Sequence, residues 1–254
     1  EKTRAVLKIQ EGCDRYCSYC IIPYARGPVR SRKPEDVIRQ VHKLVESGFQ
    51  EFVLTGIHVA SYGKDLNNVN LLSLIEDISK IEGVERIRLG SLEPTLLTED
   101  FVKAIKDMPK VCRHYHLSLQ SGHDETLKRM NRKYNTKQYR EIVDRLRKYI
   151  PDVAITTDIM VGFPGETQEE FEATREFVRS IRFSRIHVFK YSPREGTPAA
   201  RYKDQVPENI KEIRSRELIA LGKEMEIEYL RGFVGKEELV LFEEESKDKK
   251  SWYE

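Results

Sequence analysis

Three of the chain's four cysteines lie in the stretch Glu11-Gly12-Cys13-Asp14-Arg15-Tyr16-Cys17-Ser18-Tyr19-Cys20, spaced C-x3-C-x2-C. The fourth, Cys112, is distant in the sequence. Thiolate sulfur is a soft ligand that suits iron–sulfur clusters, zinc and copper(I). A structural zinc site needs four ligands, so His42, His58 or Cys112 would have to complete it. A four-iron cluster is normally held by four thiolates, so three cysteines leave one iron open to another molecule.

Strand and helix patterns alternate along the chain. β-rich runs predict strands at residues 5–9, 52–54, 87–89, 114–119, 153–161 and 186–191. Repeated βα units predict a parallel sheet with right-handed crossovers, and six units are too few for an eight-stranded barrel. We therefore predict an α/β fold, an open six-stranded (β/α)6 partial barrel. Ligands of such folds sit at the carboxyl ends of the strands.

Capping residues predict where the helices begin. Ser31, with Pro34 in the first turn, is expected to open a helix that Gly48 ends. The caps predicted for later helices are Asn70, Thr98, Thr136 and Thr167, and a last helix spans residues 207–231.

Composition limits the classes of function. Hydrophobic residues make up 39% of 254 residues, which suffices for a core. Lys and Arg (44) nearly balance Asp and Glu (42), so an RNA site has to be a local patch. With no signal peptide and no apolar run near 18 residues, we expect a cytoplasmic protein without a membrane segment. Clustered cysteines in that setting indicate metal binding rather than disulfides.

A basic stretch follows the cysteines. Residues 24–33 carry Arg26, Arg30, Arg32 and Lys33 beside Tyr24, and proline and glycine predict an irregular backbone there. The stretch is either a solvated loop or a surface that contacts RNA phosphates. The residues alone leave both interpretations open.

The cysteine pattern and the words around it carry a family resemblance. C-x3-C-x-aromatic-C after a short strand resembles the signature of radical S-adenosyl-L-methionine (SAM) enzymes. The words Ile9-Gln10-Glu11-Gly12-Cys13, Ile21-Ile22-Pro23-Tyr24-Ala25-Arg26-Gly27 and Leu54-Thr55-Gly56-Ile57-His58 resemble the methylthiotransferases of that class. They are most similar to the branch that modifies threonylcarbamoyladenosine in tRNA. The resemblance runs from about Thr3 to the end of the chain.

The resemblance implies a transferase with a 4Fe-4S cluster on Cys13, Cys17 and Cys20. The open iron binds SAM, and an external electron donor drives its cleavage to methionine and a 5′-deoxyadenosyl radical. The product implied is a methylthio group on the adenine of N6-threonylcarbamoyladenosine, next to the anticodon. tRNA is then the partner, and Arg26, Arg30 and Arg32 are the expected RNA contacts.

The resemblance also implies a set of SAM-binding positions at the strand ends. They are Tyr19 on the adenine, Thr55 and Gly56 at the amino group, Glu93 at the ribose, Gln120 and Arg132 at ribose and carboxylate, and Asp158, Val161 and Phe189 completing the pocket. Each of these residues taken alone fits ordinary capping of a strand end. The pair His114 and His116 is expected to pack rather than bind metal, and Cys112 to act as a small apolar side chain.

We expect residues 1–232 to form the radical SAM core and residues 233–254 to begin a truncated TRAM-like β domain, with a strand at residues 236–242. The methylthiotransferases that this chain resembles consist of three parts: an amino-terminal domain, the radical SAM core and a TRAM domain. Their amino-terminal domain carries three further cysteines and a second 4Fe-4S cluster, so that cluster is expected only in the missing N-terminal domain. The sequence starts at Glu1 rather than Met, which favours a piece of a longer protein.

Two alternatives remain. The first keeps the fold and changes the substrate, to isopentenyladenosine in tRNA or an aspartate of a ribosomal protein. The second is a zinc-containing RNA-binding module without catalysis.

Overall fold

The computed structural model describes residues 4–241, together with the backbone of residues 244–245 and 252–253. In chain order its strands are β1 (Arg4–Glu11), β2 (Arg30–Ser31), β3 (Glu51–Gly56), β4 (Arg86–Leu89), β5 (His114–His116), β6 (Ala154–Val161), β7 (Arg185–Lys190), β8 (Glu244–Glu245) and β9 (Trp252–Tyr253). Its α-helices are α1 (Ile22–Arg26), α2 (Pro34–Glu46), α3 (Leu71–Ser79), α4 (Glu99–Lys106), α5 (Asp124–Arg129), α6 (Thr136–Tyr149), α7 (Gln168–Ile181) and α8 (Glu208–Arg231).

Six strands run parallel in one curled, open sheet. β1, β3 and β4 pair in that order, and so do β5, β6 and β7. Parallel bridges from Ile87 to Val111 and from Leu92 to Leu117 join the two groups between β4 and β5. The predicted six-stranded partial barrel is therefore confirmed. The short strand β2 adds an antiparallel edge beside β1.

The two faces of this sheet have different neighbours. Leu7, Phe52 and Ile87 lie on the face that the helices cover, and they are fully buried. Burial of such a side chain contributes about 1.5–3 kcal/mol relative to exposure. On the concave face, by contrast, Val6 and Phe189 remain more than half exposed. A ligand can therefore reach the concave face and the carboxyl ends of the strands.

Three of the predicted helix caps are confirmed. The side chains of Asn70, Thr98 and Thr167 each accept a hydrogen bond from the backbone N–H three residues further on, at the start of α3, α4 and α7. Such caps satisfy N–H groups that have no partner inside the helix. Gly48, with φ of 89°, follows the end of α2 as predicted.

Two predicted caps are wrong. α6 is capped by Asn135 rather than Thr136, because the Asn135 side chain accepts the N–H of Gln138. Ser31 does not cap α2, since its hydroxyl accepts the N–H of Gly63 at 2.9 Å. In both cases a Ser or Thr stands near the helix start, where the sequence pattern predicts a cap, but its hydroxyl does not cap the helix.

Two local predictions also need correction. The stretch after the cysteines was expected to be irregular, but it contains the short helix α1, which starts with Pro23 in its first turn. The strand predicted at residues 236–242 is not formed over residues 236–241, and Phe242 lies outside the described residues. Leu239 is 87% exposed there, so the described part of the chain leaves this side chain largely uncovered.

Candidate active site

The cysteine loop leaves the carboxyl end of β1 through Gly12. This glycine has φ of 72°, and a Cβ there would lie 1.8 Å from the carbonyl oxygen of Pro28. Only glycine fits that approach. The N–H of Cys13 then donates to the carbonyl of Gly27 at 3.1 Å, which ties the loop to the turn after α1.

The three cysteines of this loop are free thiols. Cys20 N–H donates to the carbonyl of Cys17 at 2.9 Å, so the loop closes on itself. Burial raises the pKa of the Cys13 and Cys20 thiols, and the neighbouring Cys17 adds to this, although backbone hydrogen bonds oppose it. Three neighbouring thiols are hard to ionise at the same time, because their negative charges repel each other. A positively charged metal centre removes this obstacle, since it stabilises all three thiolates. The donor set thus fits a thiolate-bound cluster.

Arg132 connects the cysteine loop with the carboxyl ends of two strands. Its Nη1 lies 3.4 Å from the Sγ of Cys17, and its Nη2 donates to Glu93 Oε2 at 3.0 Å and to the carbonyl of Ser118 at 3.2 Å. Its Nε donates to the hydroxyl of Tyr134 at 2.9 Å. The guanidinium is almost fully buried, so its charge acts on the thiols with little screening by water. The structure therefore brings together Cys17, Glu93 and Arg132.

Glu93 follows β4 and faces His58 as well as Arg132. Its Oε2 lies 3.7 Å from His58 Nε2. Burial alone would raise the pKa of Glu93, but the nearby His58 and the charges of Arg132 and Arg15 outweigh it and lower the pKa. The carboxyl group is therefore an ionised acceptor at neutral pH.

Gln10 fixes His58 and the start of the cysteine loop at once. Its Oε1 accepts the N–H of His58 at 2.7 Å, and its Nε2 donates to the carbonyls of Glu11 and Gly12. Arg15 Nε approaches His58 Nε2 at 3.4 Å. The sequence alone assigned no role to Gln10 or Arg15, and it offered His58 only as a possible zinc ligand. The available signal was Gln10, a polar residue directly after the apolar Ile9 near the carboxyl end of β1.

Thr55 and Gly56 end β3 beside this network. A Cβ at position 56 would lie 2.8 Å from the Gln10 carbonyl oxygen, so the close approach of β1 requires glycine. Thr55 pairs with Lys8 of β1. Both residues lie at the edge where the cysteine loop emerges.

Gln120 and Asp158 lie further along the same edge. Gln120 has φ of 72°, and its N–H donates to the Asp158 carbonyl at 2.8 Å, which continues the β5–β6 pairing. The Asp158 side chain turns to the concave face, where Oδ2 lies 3.2 Å from His116 Nε2. A bulky residue with positive φ stores strain and is a feature of functional sites.

An aromatic group backs Tyr19. Its ring packs edge-on against Phe163, with centroids 6.3 Å apart, and Phe163 packs on Tyr191 at 5.4 Å. Burial raises the pKa of the Tyr19 hydroxyl well above its usual range. Val161 is buried and its carbonyl accepts the N–H of Tyr191, whereas Phe189 is exposed on the concave face. Phe163 was missed because its partners come from distant parts of the sequence.

The three arginines of the basic stretch differ. Arg26 and Arg30 are exposed, and Arg30 Nη1 donates to the carbonyl of Arg26 at 2.9 Å. Arg32 is engaged inside the fold, because Nη1 donates to Gln40 Oε1 at 2.6 Å and Nη2 to the Asp36 carbonyl at 3.3 Å. Two of the three are thus available to an external anion.

The histidine pair packs as expected. His116 Nδ1 and His114 Nε2 lie 3.0 and 3.3 Å from Thr156 Oγ1. Burial and the charge of Arg88 lower the pKa of His114 to about 4, so it is neutral. Cys112 lies at the amino end of β5, where its N–H donates to the carbonyl of Ile87.

Across the described residues, no three His, Cys, Asp or Glu side chains converge as ligands of a single metal ion. A four-iron cluster needs no such convergence, since each thiolate binds its own iron. The edge therefore offers three thiols, a buried arginine–carboxylate pair and an aromatic wall, which suits a metal cluster beside a charged organic ligand.

Comparison with known proteins agrees with this arrangement. Residues 7–178 match the radical SAM superfamily. The chain is 47% identical over 230 residues to the threonylcarbamoyladenosine tRNA methylthiotransferase MtaB of Bacillus subtilis, covering 90% of this chain and 51% of that protein. It is 43% identical over 246 residues to a tRNA-2-methylthio-N(6)-dimethylallyladenosine synthase of Clostridium botulinum, covering 96% and 55%. The chain thus spans about half the length of these curated relatives.

Among solved structures, the fold is similar to the radical S-adenosylmethionine methyltransferase TsrM from Kitasatospora setae. The TM-score is 0.65 at 17% identity, covering 78% of this chain and 39% of that one. At this identity the likeness concerns the fold alone. The superfamily match includes most of the half-barrel and the whole three-cysteine loop, and the chain belongs to the radical SAM superfamily.

Proposed function

We propose that this chain is the catalytic core of a tRNA methylthiotransferase, a transferase that acts on N6-threonylcarbamoyladenosine. One observation carries the proposal: the loop of Cys13, Cys17 and Cys20 emerges at the carboxyl edge of the half-barrel, in a chain 47% identical to MtaB. Dimethylallyladenosine in tRNA is the second candidate substrate, because a relative named for it is 43% identical.

The three cysteines would hold a 4Fe-4S cluster, and SAM would bind beside it at the strand ends. When bound and reduced by an external electron donor, this pair supplies a 5′-deoxyadenosyl radical. The protein's task is to orient the ligand and exclude water. Tyr19, with Phe163 behind it, offers a flat apolar surface for the adenine. Arg132 supplies a buried positive charge for the methionine carboxylate.

Glu93 has one oxygen left for a ligand. Its Oε2 faces Arg132 and His58, and among the described residues no group bonds its Oε1. That oxygen can accept from a ribose hydroxyl. Thr55, Gly56, Gln120, Asp158, Val161 and Phe189 are proposed to complete the pocket, as the resemblance implies.

Substitutions at Gln120 and Glu93 test the SAM pocket. Gln120→Asn shortens the amide by one methylene and keeps a residue type that tolerates positive φ. Glu93→Gln removes the charge and keeps the shape. Each change leaves a hydrogen-bonding group unpaired, so we expect SAM binding to weaken by about 1–3 kcal/mol. Isothermal calorimetry on cluster-loaded protein measures it.

Gln138→Asn is the matched control, since Gln138 lies in the capping box of α6. It is expected to leave SAM affinity unchanged. Unaltered affinity in both site variants would remove Gln120 and Glu93 from the pocket.

tRNA is the proposed partner, through Arg26 and Arg30 at the exposed end of the basic stretch. Charge reversal of both, Arg26→Glu with Arg30→Glu, is expected to weaken tRNA binding and to flatten its salt dependence, because fewer counterions are released. Arg32→Glu is not a clean test, since Arg32 bonds Gln40 within the fold. Filter binding at several salt concentrations gives both quantities.

Arg39→Glu with Lys43→Glu on α2 is the control with the same charge change. A salt slope that stays at its original value in the Arg26 and Arg30 variant would mean that this stretch is only a solvated loop.

Deletion of the gene tests the function as a whole. tRNA from the deletion strain is expected to lose the methylthio group on threonylcarbamoyladenosine and to keep it on isopentenyladenosine, as read by mass spectrometry of a nucleoside digest. The reverse loss would favour dimethylallyladenosine (isopentenyladenosine) as the substrate. Unaltered tRNA with an altered ribosomal protein would favour an aspartate of that protein. The chain is proposed to act where tRNA is, in the cytoplasm. Among the described helices, none is long and apolar enough to cross a membrane.

A further inference from the structure

Two exposed tyrosines stand together at the rim of the cysteine loop. Tyr16 lies between Cys13 and Cys17 and is 49% exposed, and Tyr24 on α1 is 57% exposed. Their rings meet edge to face, with centroids 5.7 Å apart and planes at 75°. Large aromatic surfaces left in water gain little for folding, so their placement calls for another reason.

The backbone is strained where it presents Tyr16. Its φ is 50°, in the left-handed region that a bulky residue seldom adopts. Asn131 Nδ2 donates to the Tyr16 carbonyl at 2.7 Å, and Ser18 N–H donates to the Met130 carbonyl at 3.0 Å, which holds the loop in this form. The ring is half exposed, so its burial does not offset the backbone strain. Strain that the surrounding contacts maintain in this way is a feature of functional sites.

The charges along this rim are mostly positive. Arg26 and Arg30 are exposed beside Tyr24. Lys133 is exposed on the other side, where its Nζ donates to Asn131 Oδ1 at 2.6 Å. Asp14 is the exposed acid next to Tyr16. An aromatic surface bordered by cations suits a nucleic acid with unstacked bases, since the rings meet the bases and the cations meet the phosphates.

We propose that Tyr16 and Tyr24 form a platform on which an unpaired base of the tRNA anticodon loop stacks. This inference rests on the proposed function, together with the position next to the anticodon that the family resemblance implies for the modified adenosine. The platform holds a neighbouring nucleotide at the rim while the target adenosine enters the half-barrel. Stacking adds affinity without releasing counterions, so it differs in kind from the contacts of Arg26 and Arg30.

The test uses an anticodon stem-loop RNA and three variants of the cluster-loaded chain. Tyr16→Asn removes one ring and keeps a residue that tolerates positive φ, Tyr24→Leu removes the other, and Tyr16→Phe keeps the ring. We expect about tenfold weaker binding for the first two, an unchanged salt slope, and affinity near the original for Tyr16→Phe. Iron content and thermal unfolding confirm that each variant is folded and loaded.

A direct readout of stacking comes from 2-aminopurine placed at successive loop positions of the RNA. Its fluorescence is quenched when it stacks, so one position is expected to darken on binding and to recover with Tyr16→Asn. Tyr149→Leu is the control, because that ring also lies beside two lysine side chains, at 5.7 and 5.2 Å, but at the far end of α6. It is expected to leave binding unchanged.

The outcomes separate the two levels of the argument. If the original chain binds no stem-loop or tRNA, the proposed function itself fails. If it binds and the Tyr16→Asn and Tyr24→Leu variants bind equally well, the platform is wrong and the proposed function stands. A Tyr16→Phe variant as weak as Tyr16→Asn would also overturn stacking, because the hydroxyl would then be the contact.

Discussion

Replacing Cys17 by alanine is expected to abolish iron binding, whereas replacing Cys112 is expected to leave about four irons per chain after anaerobic reconstitution. Cys17 lies in the closed loop beside Cys13 and Cys20, 3.4 Å from the buried Arg132. Cys112 lies at the opposite, amino end of the strands, where its backbone N–H donates a hydrogen bond to the carbonyl of Ile87. The Cys17→Ala variant keeps only two thiolates for four irons, so we expect it to lose all of its iron.

The measurement is iron, sulfide and zinc quantification with an absorption spectrum of thiolate-to-iron charge transfer. Equal loss of iron in both variants would make Cys112 a fourth ligand, and no iron would then be left open for SAM. One zinc per chain without sulfide would instead favour the zinc-containing RNA-binding module.

The helix starts show which features of this fold the sequence alone can predict. Thr98 and Thr167 were identified correctly because a cap and its N–H donor lie three residues apart, so the whole interaction is visible locally. Ser31 was assigned wrongly because its hydroxyl serves Gly63, 32 residues later. Local patterns also placed all six parallel strands, since each buried run is continuous in the sequence.

The site divides in the same way. The three cysteines are local, and their spacing alone indicated a metal site, either a four-iron cluster or zinc. The network around them is not local, since Gln10 meets His58 across 48 residues and Glu93 meets Arg132 across 39. Spacing cannot predict such pairs until the curl of the sheet brings the strand ends together. For this reason the family resemblance implied Glu93 and Arg132 only as separate ligand contacts, and it did not show that they form one buried ion pair.

With dithionite as the electron source, this chain is expected to cleave SAM to 5′-deoxyadenosine and to leave no methylthio group on tRNA. The residues that we assign to the cluster and SAM lie between Cys13 and Phe189, within the half-barrel. Sulfur insertion further needs a donor held near the substrate carbon. These 254 residues contain four cysteines, and three of them are assigned to the cluster. The fourth, Cys112, lies at the amino end of β5, too far along the strand to present sulfur at the carboxyl edge.

The assay follows both products in one tube, by chromatography of deoxyadenosine and of nucleosides from tRNA that carries threonylcarbamoyladenosine. Full-length MtaB of Bacillus subtilis on the same tRNA is the positive control for transfer, and the Cys17→Ala variant is the blank for cleavage. Methylthiolated tRNA from this chain alone would show that the half-barrel can hold the sulfur donor, contrary to the division of labour argued here. Absence of deoxyadenosine from a sample with a verified cluster would contradict the assigned SAM site itself, because cleavage requires only a bound ligand, a reduced cluster and the residues that orient them.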